Sequence, residues 1–181
     1  MGVRIGAPLA ALVVMAPASA FAVDYLSADQ AARMMFPQAE RFEPRTLQFD
    51  TAQMQALAGQ GLAPRAPQMP VLAARRGERV LGYVVVDEVV GKFERITYAV
   101  GITPQAAVAQ VEILSYRESH GGEIRLPAWR NQFIGKDHAA PLRVGEDITN
   151  ISGATLSCTH LTDGVRRIVA WMDAARQRGG L

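Results

Sequence analysis

Cysteine and histidine are scarce in this sequence. The 181 residues include one cysteine, Cys158, and three histidines. A single cysteine excludes an intramolecular disulfide, a haem c attachment motif and a cysteine-ligated iron–sulfur cluster within the chain. His120, His138 and His160 lack the spacing of metal ligands, so each is predicted to lie on the surface or in a loop. A redox role would therefore need another kind of cofactor.

The chain also lacks a large excess of charge of either sign. Basic and acidic residues number 19 and 17, which gives a net charge of +2, and no Lys/Arg cluster indicates nucleic acid. Hydrophobic residues make up 49% of the chain and charged residues 20%, a composition typical of one globular domain.

The N-terminus has the features of a secretory signal peptide. Arg4 precedes an apolar stretch over residues 9–15, and Ala20-Phe21-Ala22 is a cleavage site of the A-x-A kind. The apolar stretch is shorter than the roughly 20 residues that span a bilayer, which argues against an uncleaved anchor. We expect cleavage after Ala22 and a periplasmic or otherwise extracytoplasmic mature protein.

The segment 23–70 is predicted to consist of helices and loops. Ser27 is a candidate cap for a helix over residues 23–36, and Asp50 for a second helix over 51–57. Between and after them we expect a short extended piece over 46–49 and a proline-containing loop over 63–69.

The middle of the chain is β. Residues 79–90 are rich in valine, residues 96–102 alternate between apolar and polar or small side chains, and residues 109–113 alternate again. Turns separate the three runs, which predicts a three-strand antiparallel meander. With the helices, this gives an α+β fold in which an antiparallel sheet packs with helices.

An amphipathic helix is predicted from His160 onward, after a small and hydroxyl-rich turn over residues 152–157. Free backbone N–H groups and the helix dipole at such a place suit a phosphate group. The alternative is that Ser157 or Thr159 only caps the helix.

The tetrapeptide Ser152-Gly153-Ala154-Thr155 resembles the flavin-attachment motif of the bacterial FMN-binding domain family. That family includes the C subunit of the sodium-translocating NADH:quinone oxidoreductase and the G subunit of the Rnf electron-transport complex. The resemblance extends over roughly residues 71–171, through elements such as Gly82-Tyr83, Val100-Gly101-Ile102 and Gly135-Lys136. It implies an FMN-binding domain over residues 71–178, similar in fold to the Rnf G subunit. It also implies FMN bound covalently through its phosphate to Thr155, where a separate Mg²⁺-dependent flavin transferase would load it.

The sequence departs from the family pattern in one place. An Asp usually lies three residues before the Ser or Thr of the motif, but Thr149 occupies that position and the nearest acid is Asp147. Either the loop accommodates the shift or recognition by the transferase is altered.

Further candidate cofactor contacts surround the motif. Trp129 and Phe133, four residues apart, either contact the isoalloxazine ring or are core aromatics. Glu118 and Glu123 either act as acid–base groups, orient loop backbone or remain solvated. Cys158 is expected to be a small buried thiol near the site. The full set of predicted cofactor-binding residues is Thr155, Ser152, Gly153, Ala154, Leu156, Ser157, Glu118, His120, Gly121, Trp129 and Phe133.

The resemblance favours an exported electron-transfer flavoprotein that relays electrons between redox partner proteins, which are expected to be membrane-bound. A reductase that uses FMN to reduce a small acceptor, such as a ferric chelate or an organic molecule, is the alternative from the enzyme class. A secreted binding domain whose Ser-Gly-Ala-Thr turn only caps a helix is the third hypothesis.

Overall fold

The computed structural model describes residues 25–181, so the predicted signal peptide lies outside the described residues. A five-stranded antiparallel sheet carries helices on both faces, which confirms the predicted α+β class. The helices are α1 (Ala28–Met35), α2 (Thr51–Gly59), α3 (Pro127–Arg130) and α4 (Thr155–Gln177), with 3₁₀ turns at Gly122–Arg125 and Asn131–Phe133. The strands are β1 (Arg41–Gln48), β2 (Gln68–Arg76), β3 (Arg79–Val90), β4 (Arg95–Ile102) and β5 (Val108–Tyr116).

The strands follow one another across the sheet in chain order, and each neighbouring pair is antiparallel. Strands β3, β4 and β5 are the predicted meander. Strand β1 pairs with β2 along its whole length, so the segment 23–70 contributes a full edge strand and not only helices and loops. Pro44 and the charged residues around it obscure this strand in the sequence. An edge position tolerates the missing N–H of a proline.

Both faces of the central strands are buried. On β4, Tyr98 and Val100 belong to the larger apolar cluster, which α4 covers, whereas Ala99 belongs to the smaller cluster that contains α1. The α1 side requires small residues because α1 lies close to the sheet. A Cβ atom built on Gly82 would come within 2.4 Å of the Phe36 ring. Strand β4, which its alternation predicts to be half-buried, is therefore covered on both sides.

Both predicted helix caps are confirmed. Ser27 Oγ accepts a hydrogen bond from the Gln30 N–H at 3.2 Å, and Asp50 Oδ1 accepts one from the Gln53 N–H at 2.8 Å. The predicted start of the first helix at residue 23 is wrong, because the capping Ser27 has an extended backbone and α1 begins only after it.

The long helix α4 packs its apolar stripe against β3 and β4. It begins five residues before the predicted start at His160. No helix among residues 25–181 is both long and apolar enough to cross a membrane. The apolar residues that recur at helical spacing along α4 are all buried: Leu161, Val165, Ile168, Val169 and Met172.

Candidate functional site

The Ser-Gly-Ala-Thr motif lies at the start of α4. Ala154 is the N-cap residue and Thr155 is the first helical residue, and no side chain caps the helix. The first helical hydrogen bond runs from the Cys158 N–H to the Ala154 carbonyl at 2.9 Å. The backbone N–H groups of the three residues 155–157 therefore have no acceptor within the helix. The capping alternative is wrong, because Ser157 and Thr159 lie inside α4.

Gly153 gives the motif its turn. Its φ angle is +81°, and a Cβ atom at this position would meet nothing within 4 Å. The backbone conformation, and not lack of space, is thus the physical reason for glycine here. Ser152 lies in the same turn, exposed to solvent.

The hydroxyl group of Thr155 is accessible and held in place. Thr155 is exposed, and its Oγ1 accepts a hydrogen bond from Asn150 Nδ2 at 3.1 Å. Accepting this bond leaves the hydroxyl proton free to be removed. Asn150 was not among the predicted site residues, since a lone asparagine in a loop carries no distinctive sequence signal.

The loop before the motif is anchored to the segment around α3. Trp129 Nε1 donates a hydrogen bond to the Thr149 carbonyl at 2.7 Å, and the Thr149 N–H donates one to Gln132 Oε1 at 2.8 Å. Both backbone polar groups of Thr149 are therefore bound by side chains from one segment.

Trp129 and Phe133 are core aromatics. Their ring centroids are 5.2 Å apart in an edge-to-face arrangement, and both side chains are buried. Neither lines the cavity described below. Of the two predicted roles, the structure supports packing, and Trp129 adds the positioning of the loop through Thr149.

Asp147 stabilises a different turn. Its carboxylate accepts the N–H groups of Leu142 and Arg143 at 3.2 and 2.8 Å and pairs with Lys136 Nζ at 2.8 Å. Burial alone raises the pKa of Asp147, but these hydrogen bonds and the Lys136 charge outweigh it and hold the pKa below its usual value. Asp147 is thus committed to residues 136–147 and makes no contact with Thr155.

Glu118 joins the loop after β5 to the turn between β3 and β4. Its Oε1 accepts the N–H groups of Phe93 and Glu94 at 2.7 and 3.0 Å. Burial raises the pKa of Glu118, yet these backbone donors and the charge of Lys92 lower it further than burial raises it. Of the predicted alternatives for Glu118, orienting backbone is the one that the geometry supports. Glu123 is exposed.

The loop after β5 packs directly against the motif. Gly121 has a φ of +79°, and a Cβ atom there would lie 2.1 Å from Ala154 Cβ. Tyr116 on β5 donates a hydrogen bond to the His120 carbonyl, and this bond ties the loop to the end of β5. The imidazole of His120 is exposed, with Nδ1 at 2.9 Å from Ser119 Oγ.

These segments enclose a cavity of about 360 Å³. This volume lies within the range of small-molecule sites. A larger cavity of about 480 Å³ between α2 and the end of α4 contains none of the predicted cofactor-binding residues. The smaller cavity gathers most of the predicted set and adds Lys92, Phe93 and Ser119: its lining is Lys92, Phe93, Glu118, Ser119, His120, Gly153, Ala154, Thr155, Leu156 and Ser157.

The cysteine and the two remaining histidines do not line this cavity. Cys158 is fully buried, as predicted, and burial raises the pKa of its thiol. His160 Nδ1 lies 2.6 Å from the Val90 carbonyl, and His138 lies beside Asp173 near the end of α4. Among residues 25–181, no group of three or more acidic, histidine or cysteine side chains is arranged to hold a metal ion.

Residues 91–170 match the family model of the FMN-binding domain. The chain contains an FMN-binding domain. The matched residues include every segment that lines the cavity, from the turn between β3 and β4 to the first turn of α4.

A solved structure has the same fold. The chain is similar to NqrC of Shewanella oneidensis, with 15% identity and a TM-score of 0.51 over 82% of this chain and 88% of that chain. It is also similar to the C subunit of the Na⁺-translocating NADH-quinone reductase of Parabacteroides distasonis. That match has 15% identity and a TM-score of 0.46 over 79% of this chain and 84% of that one. No curated protein sequence matches the chain.

The residues of the cavity fit FMN. The uncapped N–H groups at the start of α4, together with the partial positive charge of the helix dipole, suit its phosphate. Two exposed apolar side chains, Phe93 and Leu156, line the same cavity and suit a flat aromatic ring.

Proposed function

We propose that this protein is an exported electron-transfer flavoprotein that carries FMN through a phosphoester bond to Thr155. The observation that carries the proposal is the position of the Thr155 hydroxyl. It is exposed at the uncapped start of α4 and opens on a cavity within the FMN-binding domain.

The residues of the chain have distinct tasks in this proposal. The N–H groups of residues 155–157 bind the phosphate oxygens, and Asn150 orients the Thr155 hydroxyl. Glu118 holds the turn between β3 and β4, and Tyr116 holds the loop after β5; both segments line the cavity together with the motif. FMN, when bound, supplies reversible uptake of electrons, and the protein positions the ring and tunes its potential.

Attachment requires an outside catalyst. A threonine hydroxyl is a weak nucleophile at neutral pH, and a neutral amide from Asn150 cannot take up its proton. We therefore assign activation to a Mg²⁺-dependent flavin transferase. In the balanced reaction, the Thr155 oxygen attacks the FMN phosphorus of FAD, AMP leaves, and the hydroxyl proton passes to the transferase.

The location and the partners follow from this proposal. Covalent attachment keeps the cofactor outside the cytoplasm, where lost FMN would not be replaced. The signal-peptide pattern of residues 1–22 supports export. Membrane-bound redox partner proteins then deliver and accept the electrons.

A reductase of a small acceptor is the second candidate. His120 is exposed and lines the same cavity as Thr155, so it is available to donate a proton to an acceptor near the flavin. Glu118 supports this candidate less, since backbone N–H groups already engage its carboxylate. Turnover of ferric chelates or organic acceptors by the purified protein, lost in His120→Ala, would favour the reductase over the carrier.

The intact mass of the protein tests covalent loading. The protein is exported from a host that supplies the flavin transferase, and Thr155→Ala and Thr159→Ala are prepared beside it. We expect the wild type and Thr159→Ala to gain the mass of FMN less one water, and Thr155→Ala to gain nothing. Thr159 is a matched control because it lies one turn further along α4. A wild type that neither gains mass nor binds free FMN would overturn the proposal.

A further inference from the structure

The turn between β3 and β4 presents two side chains to the cavity that Thr155 also lines. Phe93 is 73% exposed, the largest exposed fraction among the big apolar side chains of the described residues. The Lys92 ammonium group lies 4.9 Å from the centre of the Phe93 ring, within cation–π distance. Neither residue was predicted as a site residue from the sequence.

This turn is held firmly. The Gly91 N–H donates to the Glu94 carbonyl at 2.8 Å, and Glu118, on the loop after β5, accepts the N–H groups of Phe93 and Glu94. A Cβ atom on Gly91 would lie 2.5 Å from Glu118 Oε1, so the two segments are in close contact. Phe93 is thus an exposed aromatic ring on a fixed backbone, and not a side chain on a loose loop.

A second exposed apolar side chain lines the same cavity. Leu156 follows Thr155 in the first turn of α4 and is 46% exposed. Phe93 and Leu156 therefore both contribute apolar surface to the cavity that Thr155 also lines. Single exposed apolar residues are common on protein surfaces, but two that line one cavity indicate an apolar ligand group.

We propose that Phe93 packs against the isoalloxazine ring of FMN and that Lys92 tunes the reduction potential of that ring. The proposal rests on the proposed function, since it assumes FMN at Thr155. Flat aromatic rings pack favourably on one another. Uptake of two electrons and one proton adds one negative charge to a flavin ring, and a neighbouring ammonium group stabilises that charge. Lys92 therefore raises the midpoint potential.

Phe93 is tested first by affinity. Protein made without the transferase is titrated with free FMN, as wild type, Phe93→Leu and Phe42→Leu. Loss of an aromatic contact predicts an affinity about two- to twelve-fold weaker for Phe93→Leu. Phe42 is the matched control, because it lies on the α1 side of the sheet, and Phe42→Leu is expected to bind FMN as the wild type does.

Covalently loaded protein gives a second measurement on Phe93. In Phe93→Leu we expect lower fluorescence anisotropy of the flavin and faster quenching by iodide, because the ring is less restrained and more exposed. Equal affinity, anisotropy and quenching in the wild type and Phe93→Leu would overturn the role of Phe93.

Lys92 is tested by the midpoint potential of the loaded protein. We expect Lys92→Gln to shift the potential to more negative values and Lys92→Arg to keep it close to that of the wild type. The matched control is Arg79→Gln, which removes one positive charge at the opposite end of β3 and is expected to leave the potential unchanged. An unchanged potential in Lys92→Gln would overturn the role of Lys92.

The mass of each loaded variant separates this inference from the proposed function. FMN present in the wild type and in every variant, with no change in binding or potential, contradicts the inference alone. A wild type that neither carries nor binds FMN contradicts both.

Discussion

Asn150 Nδ2 donates a hydrogen bond to Thr155 Oγ1 at 3.1 Å across the turn that precedes α4. The bond occupies one lone pair of the hydroxyl oxygen and does not use its proton. Asn150 is therefore a positioning residue for the modification that we propose.

Replacing Asn150 by alanine is expected to slow FMN loading without unfolding the protein. A hydrogen bond of this kind contributes about 0.5–1.5 kcal/mol, which corresponds to a loading rate roughly two- to twelve-fold lower. The rate is measured from mass spectra taken during incubation with transferase and FAD. Asn131→Ala, which changes an exposed side chain on a 3₁₀ turn, is the control and is expected to load normally. Equal loading rates for the two variants would contradict the positioning role of Asn150.

Two glycines of the site are expected to respond differently to alanine. At Gly153 only the positive φ opposes a side chain, so Gly153→Ala should lower the free energy of unfolding by about 1–2 kcal/mol. Gly153→Asn should cost less, because asparagine tolerates this conformation better. Gly121→Ala should cost more, since the new methyl group also meets Ala154. Urea unfolding of the three variants checks this order, and a harmless Gly121→Ala would contradict the contact between the loop and the motif.

Glu118 predicts a pH dependence of stability. Its pKa is lower in the folded protein than in the unfolded chain, so the ionised carboxylate stabilises the fold. The contribution is complete above the ordinary glutamate pKa of about 4.3 and is lost as the pH falls through the lower folded value. We expect Glu118→Gln to be less stable than the wild type at pH 7 and the difference to shrink towards acid.

Urea unfolding at a series of pH values measures this difference. Glu123→Gln is the control, because Glu123 is exposed and lies in the 3₁₀ turn directly after the loop that contains Glu118. A stability difference between wild type and Glu118→Gln that grew as the pH fell would contradict the sign of the shift.

Trp129→Phe separates a core tryptophan from one that contacts the flavin. The change keeps an aromatic ring but removes the donor to the Thr149 carbonyl, which is expected to cost about 1–3 kcal/mol of stability. The visible spectrum of the loaded flavin should stay unchanged, because Trp129 does not line the cavity.

Trp171→Phe is the matched control for Trp129→Phe. Trp171 Nε1 donates to the Leu62 carbonyl at 2.5 Å, far along α4 from the motif. Both variants should lose stability, but only Trp129→Phe should slow FMN loading, since only Trp129 holds the loop before Thr155. A shifted flavin spectrum in Trp129→Phe would restore the ring-contact hypothesis.

The parts of the fold that the sequence predicts are those with a local physical signal. Ser27 and Asp50 have capping side chains with glutamine three residues later, and the meander has β-branched runs between turns. Strand β1 lacks such a signal, because Pro44 and charged side chains are tolerated on an edge that pairs on one side only. Its partner β2 is non-local, and pairing across that distance cannot be read from either segment.

The site also has residues that the sequence predicts and residues that it does not. The Ser-Gly-Ala-Thr motif identifies Thr155, since it is a short motif with a specific resemblance. Phe93 and Lys92 lie more than fifty residues earlier along the chain and reach the cavity only because Glu118 ties their turn to the loop after β5. The sequence alone does not show whether Trp129 packs in the core or contacts the cofactor, because both roles require a large aromatic ring.

The most direct test of the central claim is to locate the flavin within one peptide. Trypsin cleavage after Arg143 and Arg166 releases residues 144–166, which contain Thr155 together with other hydroxyl side chains. Fragmentation of this peptide from protein exported alongside the transferase should place FMN on Thr155, and on the serine of Thr155→Ser. FMN on Ser152, Ser157 or Thr159 instead, or an unmodified peptide from a transferase-competent host, would contradict the account.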